Sequence, residues 1–243
     1  MMNAQHLKKI NLGQKMLCIV DNHQYVLPLW GALALKSNAV FQLVSIDYHP
    51  DTNPSFWLNA YQKAMAIDPS REEALVNLFQ RRILDQIDPK NLESLAVQMS
   101  LMRNDEHINT AMEFGYLSDY HMINCMEKHC YSKGHHYLVE PLNFGKLTDR
   151  SLSQSGFDLE LIRKKGGYLP FILDIDLDYF MKPSDFEVIP EEMMIFKTLV
   201  QKSSMITCAR SVTYFNHLKR DTFDIESCEK KLIQLLETII SDS

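Results

Sequence analysis

The stretch Phe41-Gln42-Leu43-Val44-Ser45-Ile46-Asp47-Tyr48-His49-Pro50-Asp51 begins as an apolar run and ends in carboxylates and an imidazole. The run reads as a buried strand. The pattern returns twice: Met16-Leu17-Cys18-Ile19-Val20 leads into Asp21-Asn22-His23, and Phe171-Ile172-Leu173 leads into Asp174-Ile175-Asp176-Leu177-Asp178. Polar residues at the C-terminal ends of buried parallel strands stand at the rim where open α/β sheets place their sites. Rims carrying acids and imidazoles together predict an α/β fold with a metal centre of more than one ion.

Working outward, further strand-like runs lie at Tyr120–Cys125, Tyr137–Pro141 and Met205–Ala209, and the last motif strand reads as Leu169–Asp178. Helix-like segments fall between them. In Ser70–Gln86, Ser70 and Glu73 form a capping box, and Leu75, Leu78, Phe79 and Ile83 mark one face. Others span Asn91–Met102, Glu191–Gln201 and Ile225–Ile240, the last with Leu232, Leu235, Leu236 and Ile239 at helical spacing. Strands alternating with helices predict βαβ units and a mostly parallel sheet. With neither repeat nor linker visible, residues 1–243 are expected to form one domain. The mostly helical connection from about 52 to 104 reads as an insertion or lid over the rim.

Side chains at i, i+2 and i+4 of a strand share a face. Asp47, His49 and Asp51 have that spacing, although Pro50 marks the strand's end; Asp174, Asp176 and Asp178 have it too. Carboxylates held so close raise one another's pKa values. One divalent cation relieves that repulsion, and two relieve it better. Carboxylate and imidazole ligands without a thiolate pattern suit Mn2+, Mg2+, Fe2+ or Zn2+. Bridged ions can hold a hydroxide that is nucleophilic at neutral pH. The plainer alternative is solvated strand-end acids and caps. It accounts for any one cluster but not for all of them together.

In order and content the motifs resemble those of the arginase/agmatinase/deacetylase (ureohydrolase) superfamily, whose strands end in Asp-His, Asp-x-His-x-Asp and Asp-x-Asp. Asn22-His23 stands at the first, Asp47–Asp51 matches the second in full, and Asp174–Asp178 holds two overlapping versions of the third. The resemblance implies a three-layer arginase/deacetylase-like domain. It also implies two divalent ions, manganese with zinc or iron as alternatives, held by His23, Asp47, His49, Asp51, Asp176 and Asp178. Asp174 is the alternative ligand beside Asp176; otherwise it takes the place of a serine that often precedes the family motif. Taken together, Ser45–Asp51, Asn104–Ile108, Leu173–Phe180 and Thr207–Ser211 look like the branch that includes peptide arginases. The implied reaction is attack of a metal-bridging hydroxide on a guanidinium carbon, giving ornithine and urea. Amide deacetylation is the close variant, and a non-catalytic metal- or peptide-binding module the alternative outside catalysis. Arginases of the family bind the guanidinium through a late glutamate; Met205–Tyr214 offers Arg210 and Ser211 there and no acid.

Glu106 and His107 are candidates for a proton shuttle or substrate contact; they read equally well as a helix start capped by Asn104 or Asp105. Arg210 either binds a carboxylate or pairs with a structural acid. Cys125, His129, Cys130, His135 and His136 match no common zinc spacing and read as a strand end and loop. Trp30, Trp57 and Tyr179 read as core or rim, and Gly166-Gly167 as a turn. Asp174-Ile175-Asp176 superficially suggests a haloacid-dehalogenase-type phosphatase, which leaves Asp47–Asp51 unexplained. A net charge of −6 without a basic run argues against nucleic-acid binding. No apolar stretch is long enough for a bilayer, and the N-terminus lacks a signal-like apolar region. Scattered cysteines fit a reducing cytoplasm. The expected partner is a small molecule or peptide bearing a guanidinium or amide, with oligomer formation left open.

Overall fold

The computed structural model describes residues 7–126, 134–164, 167–187, 189–220 and 222–242. His129 and Cys130 of the zinc alternative, and Gly166, lie outside these. The chain packs as two compact units. One comprises Gln24–Val40 and Asp51–Ser118; the other comprises the segment ending at His23, Phe41–Pro50 and everything from Asp119 onward.

The second unit is built on a sheet. Its strands are β1 (Leu7–Leu12), β2 (Lys15–Val20), β3 (Phe41–Ile46), β4 (Leu117–Asn124) and β5 (His135–Leu138). After a small ladder of β6 (Arg163–Lys164) and β7 (Gly167–Tyr168) come β8 (Phe171–Asp176) and β9 (Met205–Ala209). The sheet order is β1-β2-β9-β8-β3-β4-β5. The pairs β2–β9, β9–β8, β8–β3 and β4–β5 are parallel, as the apolar runs predict. Every residue of β8 is buried, as expected of a strand covered on both faces. The strand β1 escaped the sequence reading because Lys8 and Lys9 interrupt its apolar pattern. It is an edge strand, where lysines discourage further pairing. It turns into β2 through Gly13-Gln14, with Gly13 at φ +70°, a conformation that favours glycine in so tight a hairpin.

Helices α6 (Asp149–Gln154), α7 (Met194–Lys202), α8 (Val212–Leu218) and α9 (Ile225–Ser241) belong to this unit. Asp224 starts α9 by accepting a hydrogen bond from the Ser227 amide at 2.7 Å. Helical spacing then buries Ile225, Cys228, Leu232, Leu236 and Ile239, which join Leu17, Ile19, Leu173, Ile206, Phe196 and Leu199 in one core. No described helix is long and apolar enough to cross a membrane.

The other unit is helical: α1 (Leu27–Ser37), α2 (Trp57–Ile67), α3 (Glu72–Leu84), α4 (Leu92–Gln98) and α5 (His107–Glu113). At Gly31 of α1 a Cβ would come 2.8 Å from the Tyr116 ring, so only glycine lets these parts meet. The expected Ser70–Glu73 capping box does not form. Asp68 accepts from the Ser70 amide instead and caps a 3-10 turn, Pro69–Arg71, ahead of α3. The buried face of α3 is Leu75, Val76 and Ile83, with Leu78 42% exposed. At 100° per residue Leu78 falls on the flank of the stripe that Leu75, Val76 and Ile83 define.

Candidate metal centre

The register of the parallel strands lays out the site. Val20 pairs with Ala209, Ala209 with Asp176, and Ile175 with Ile46. His23, Ser211, Asp178 and Asp47 follow these positions and therefore emerge at one rim of the sheet. The alternation expected along Asp47–Asp51 and Asp174–Asp178 is not what aligns their side chains. The strand β3 stops at Ile46 and β8 at Asp176. Beyond them short side chains curl the backbone: Asp47 Oδ1 accepts from the His49 amide at 2.7 Å, and Asp176 Oδ1 from the Asp178 amide at 3.0 Å. Asp and Asn favour such turns because they can replace a backbone acceptor.

His23, Asp47, His49, Asp174, Asp176 and Asp178 converge. His23 Nδ1 lies 3.3 Å from Asp47 Oδ2 and 3.2 Å from Asp176 Oδ2. His49 Nδ1 lies 2.9 Å from Asp178 Oδ2 and 3.8 Å from Asp47 Oδ1. Asp47 thus offers one oxygen to each imidazole. Two ligands on one octahedral cation, each bonded at about 2.1 Å, are about 3 Å apart. The spacing and the hard, mixed donor set therefore fit divalent metal ions. Asp47, His49 and Asp178 present ligand atoms all within 4.8 Å of one another. Asp174 differs from its neighbours: its Oδ2 faces the far nitrogen of His23, Nε2, at 2.6 Å.

Burial pushes the carboxyls of Asp176 and Asp178 above their ordinary range; the Asp47 charge adds to both, and Asp176 to Asp178. Burial alone would lower the two imidazoles. The carboxylates reverse this, raising His23 well above its usual value and His49 to about 11. Burial would also raise Asp47, but hydrogen bonds from His23 and His49 hold it well below the usual carboxylate range. Protons in this cluster stand where a divalent cation would compete for the same oxygens and nitrogens.

Ser211 follows β9 in a left-handed conformation, φ 42°, and its hydroxyl donates to Asp176 Oδ2 at 2.5 Å. Tyr214 of α8 sets its ring edge-on to His49, with centroids 5.1 Å apart, and Tyr48 does so from the other motif at 5.1 Å. The sequence reading assigned no role to Ser45, Thr207, Ser211 or Tyr214. The only signal for the first two was a hydroxyl near the C-terminal end of an apolar strand. Arg210 takes the structural alternative, with Nη2 2.7 Å from Glu226 and Nε 3.3 Å from Glu229.

Asp51, Glu106 and His107 belong to the helical unit. Asp51 is buried with a left-handed backbone, φ 39°. Glu106, and neither Asn104 nor Asp105, is the N-cap of α5. Its carboxylate accepts from the amides of Leu58 at 2.8 Å and Arg103 at 2.9 Å, and burial pushes its pKa up. His107 Nδ1 donates to the Asn104 carbonyl at 2.6 Å, and its ring lies 5.4 Å from Trp30.

Fold and cluster together define a mostly parallel α/β sheet with a carboxylate–imidazole centre at its strand ends. No protein-family model and no curated protein matches the sequence. Among solved structures, proclavaminate amidino hydrolase from Streptomyces clavuligerus is similar, at 13% identity and a TM-score of 0.49. The match covers 93% of this chain, which spans 64% of the length of that one.

Proposed function

We propose that this chain is a metal-dependent hydrolase of linear C–N bonds, acting on a guanidinium in arginine or an arginine-containing peptide. One observation carries the metal reading: both imidazoles turn Nδ1 toward carboxylates at ligand-edge spacing, and Asp47 faces both. A structural hydrogen-bond network would not need so many buried acids around so few bases. The proposed holders of two manganese ions are His23, Asp47, His49, Asp176 and Asp178. Bound there, the ions supply a water that ionises near neutral pH and Lewis-acid stabilisation of developing charge.

The guanidinium assignment rests on the order of the sequence motifs. The open side of the cluster supports it. The His49 side chain is 26% exposed, and Tyr48 and Tyr214 flank it. Aromatic rings attract planar cations, and two of them stand beside the partly exposed imidazole. Arg210-Ser211 follows β9, and the missing acid favours amide deacetylation as the second reading.

The test is reconstitution with Mn2+, desalting and elemental analysis, followed by assays on arginine, arginine peptides and acetyl-lysine peptides. About two ions per chain with urea release supports the guanidinium reading. Acetate release selects the deacetylase, and metal without turnover selects a binding module. No retained metal removes the hydrolase.

A further inference from the structure

We propose that Asp174 is a positioning residue that fixes the tautomer and orientation of His23, and not one of the metal ligands. The inference rests on the metal reading above and deepens it.

Ser45, Asp174 and Thr207 form one register row across β3, β8 and β9. All three are fully buried, and their side chains share a network. Thr207 Oγ1 donates to Asp174 Oδ1 at 2.5 Å, and Ser45 Oγ donates to Oδ2 at 3.3 Å. His23 Nε2 lies 2.6 Å from the same Oδ2. Both oxygens of Asp174 accept from these hydroxyls, so Nε2 is the donor in its contact with Oδ2 and carries the proton. In a neutral imidazole the lone pair is then on Nδ1, the nitrogen that faces Asp47 and Asp176 at 3.3 and 3.2 Å.

Asp174 therefore sits behind the ring while the other acids sit in front of it. An ion bound at Nδ1 has the imidazole between itself and Asp174. This arrangement prepares a histidine for a cation: one nitrogen is held protonated, the other is aimed, and the negative charge behind the ring raises its basicity. The flanking hydroxyls fix the rotamer of a carboxylate that would otherwise be costly to bury in mid-strand. It also separates the overlapping Asp-x-Asp choices in Asp174–Asp178, leaving Asp176 and Asp178 as the pair that faces the histidine Nδ1 atoms.

The experiment is calorimetric titration of metal-free full-length protein with Mn2+, comparing wild type, Asp174→Asn and Thr207→Val. Imidazole 15N spectra of the Zn2+-loaded, diamagnetic forms would accompany it. Asp174→Asn is expected to keep the wild-type number of ions and weaken binding roughly 10- to 100-fold, as loss of a partner behind a ligand does. Wild-type spectra are expected to show His23 protonated at Nε2. Thr207→Val is expected to weaken binding several-fold, by less than Asp174→Asn. A drop in ion number in Asp174→Asn would make Asp174 a ligand and overturn the proposal, leaving the metal reading intact. Unchanged affinity in that variant overturns it too. If circular dichroism shows Asp174→Asn unfolded, Thr207→Val decides, and unchanged affinity there overturns the proposal. A wild-type protein that binds neither metal removes the metal reading and the proposal with it.

Discussion

His23 and His121 are both buried in the sheet unit, and they are buried by opposite means. His23 is ringed by Asp47, Asp174 and Asp176, whose attraction outweighs burial and raises its pKa well above the ordinary value. His121, on β4, stacks on His135 and Tyr137 with centroids 5.1 and 5.9 Å away, and its Nδ1 lies 3.0 Å from the Tyr137 hydroxyl. Burial lowers its pKa to about 4, against the pull of Asp119 and with the help of His135. This sheet can therefore hold a neutral histidine among rings without enclosing it in acids. The strand-end cluster instead gathers Asp47, Asp174, Asp176 and Asp178 around His23 and His49. That gathering of acids supports the metal reading proposed above; the ring stack around His121 offers no comparable set of carboxylates.

The sharpest break of this contrast is Asp176→Asn. It is expected to lower the Mn2+ content by about one ion per chain and any C–N hydrolysis by more than about 100-fold, beyond what loss of a supporting partner causes. His121→Phe should change neither. Elemental analysis and a product-release assay on the two variants decide it, and full metal retention in Asp176→Asn would sink the distinction.

Next in size is stability without metal. His23→Ala leaves Asp47, Asp174 and Asp176 buried without their shared base, a change that costs about 3–5 kcal/mol. His121→Phe replaces a ring by a ring of similar volume and should cost less than about 1.5 kcal/mol. Urea unfolding of both metal-free variants measures the gap. Equal losses would mean that the acids around His23 are already neutralised by other means.

The surroundings of His23 show what could be read from the chain alone. His23, Asp47, His49, Asp176 and Asp178 each follow an apolar run, so strand ends were enough to bring them into view. Ser45 and Thr207 were not visible in that way. A hydroxyl inside a strand means little until the register sets it beside Asp174. Tyr214 reaches His49 only because Ser211 turns the chain left-handed into α8. The end of the run at Ile46 was legible, but β8 was read on to Asp178 and strand alternation was expected to align Asp47, His49 and Asp51, because spacing in sequence does not reveal where a side chain will cap its own backbone. Likewise β1 was hidden by the lysines that suit an edge, whereas α3 was legible and only its start was misplaced, because Asp68 caps the turn ahead of it in place of the expected Ser70–Glu73 box.

A third effect is acid sensitivity at His121. The unfolded imidazole titrates near 6.5, the folded one near 4. As pH falls below about 6.5 the unfolded chain takes up a proton that the folded ring refuses, so stability falls until about pH 4 and the effect then levels off. The contribution is about 3 kcal/mol. Thermal melts across that window should show a slope in wild type that is flatter in His121→Phe. Identical slopes would mean that the stacked rings do not keep His121 neutral.

The smallest effect expected is that of Arg210→Ala, and it marks where the cluster ends. Arg210 stands just beyond β9, next in sequence to Ser211, whose hydroxyl touches Asp176. Its own guanidinium turns instead to Glu226 and Glu229, and more distantly to Asp21 at 3.9 Å. Glu226 is largely exposed, and Glu229 keeps a second partner in Lys8 at 2.6 Å. Removing Arg210 therefore strands no buried charge, and exposed ion pairs contribute about 1 kcal/mol or less. Metal content and kcat should stay at wild-type levels, with a small stability loss that fades as salt screens the remaining pairs. A KM raised about tenfold or more with unchanged metal content would show that Arg210 leaves its glutamates to hold substrate. The boundary between cluster and scaffold would then have to be drawn one residue further along β9.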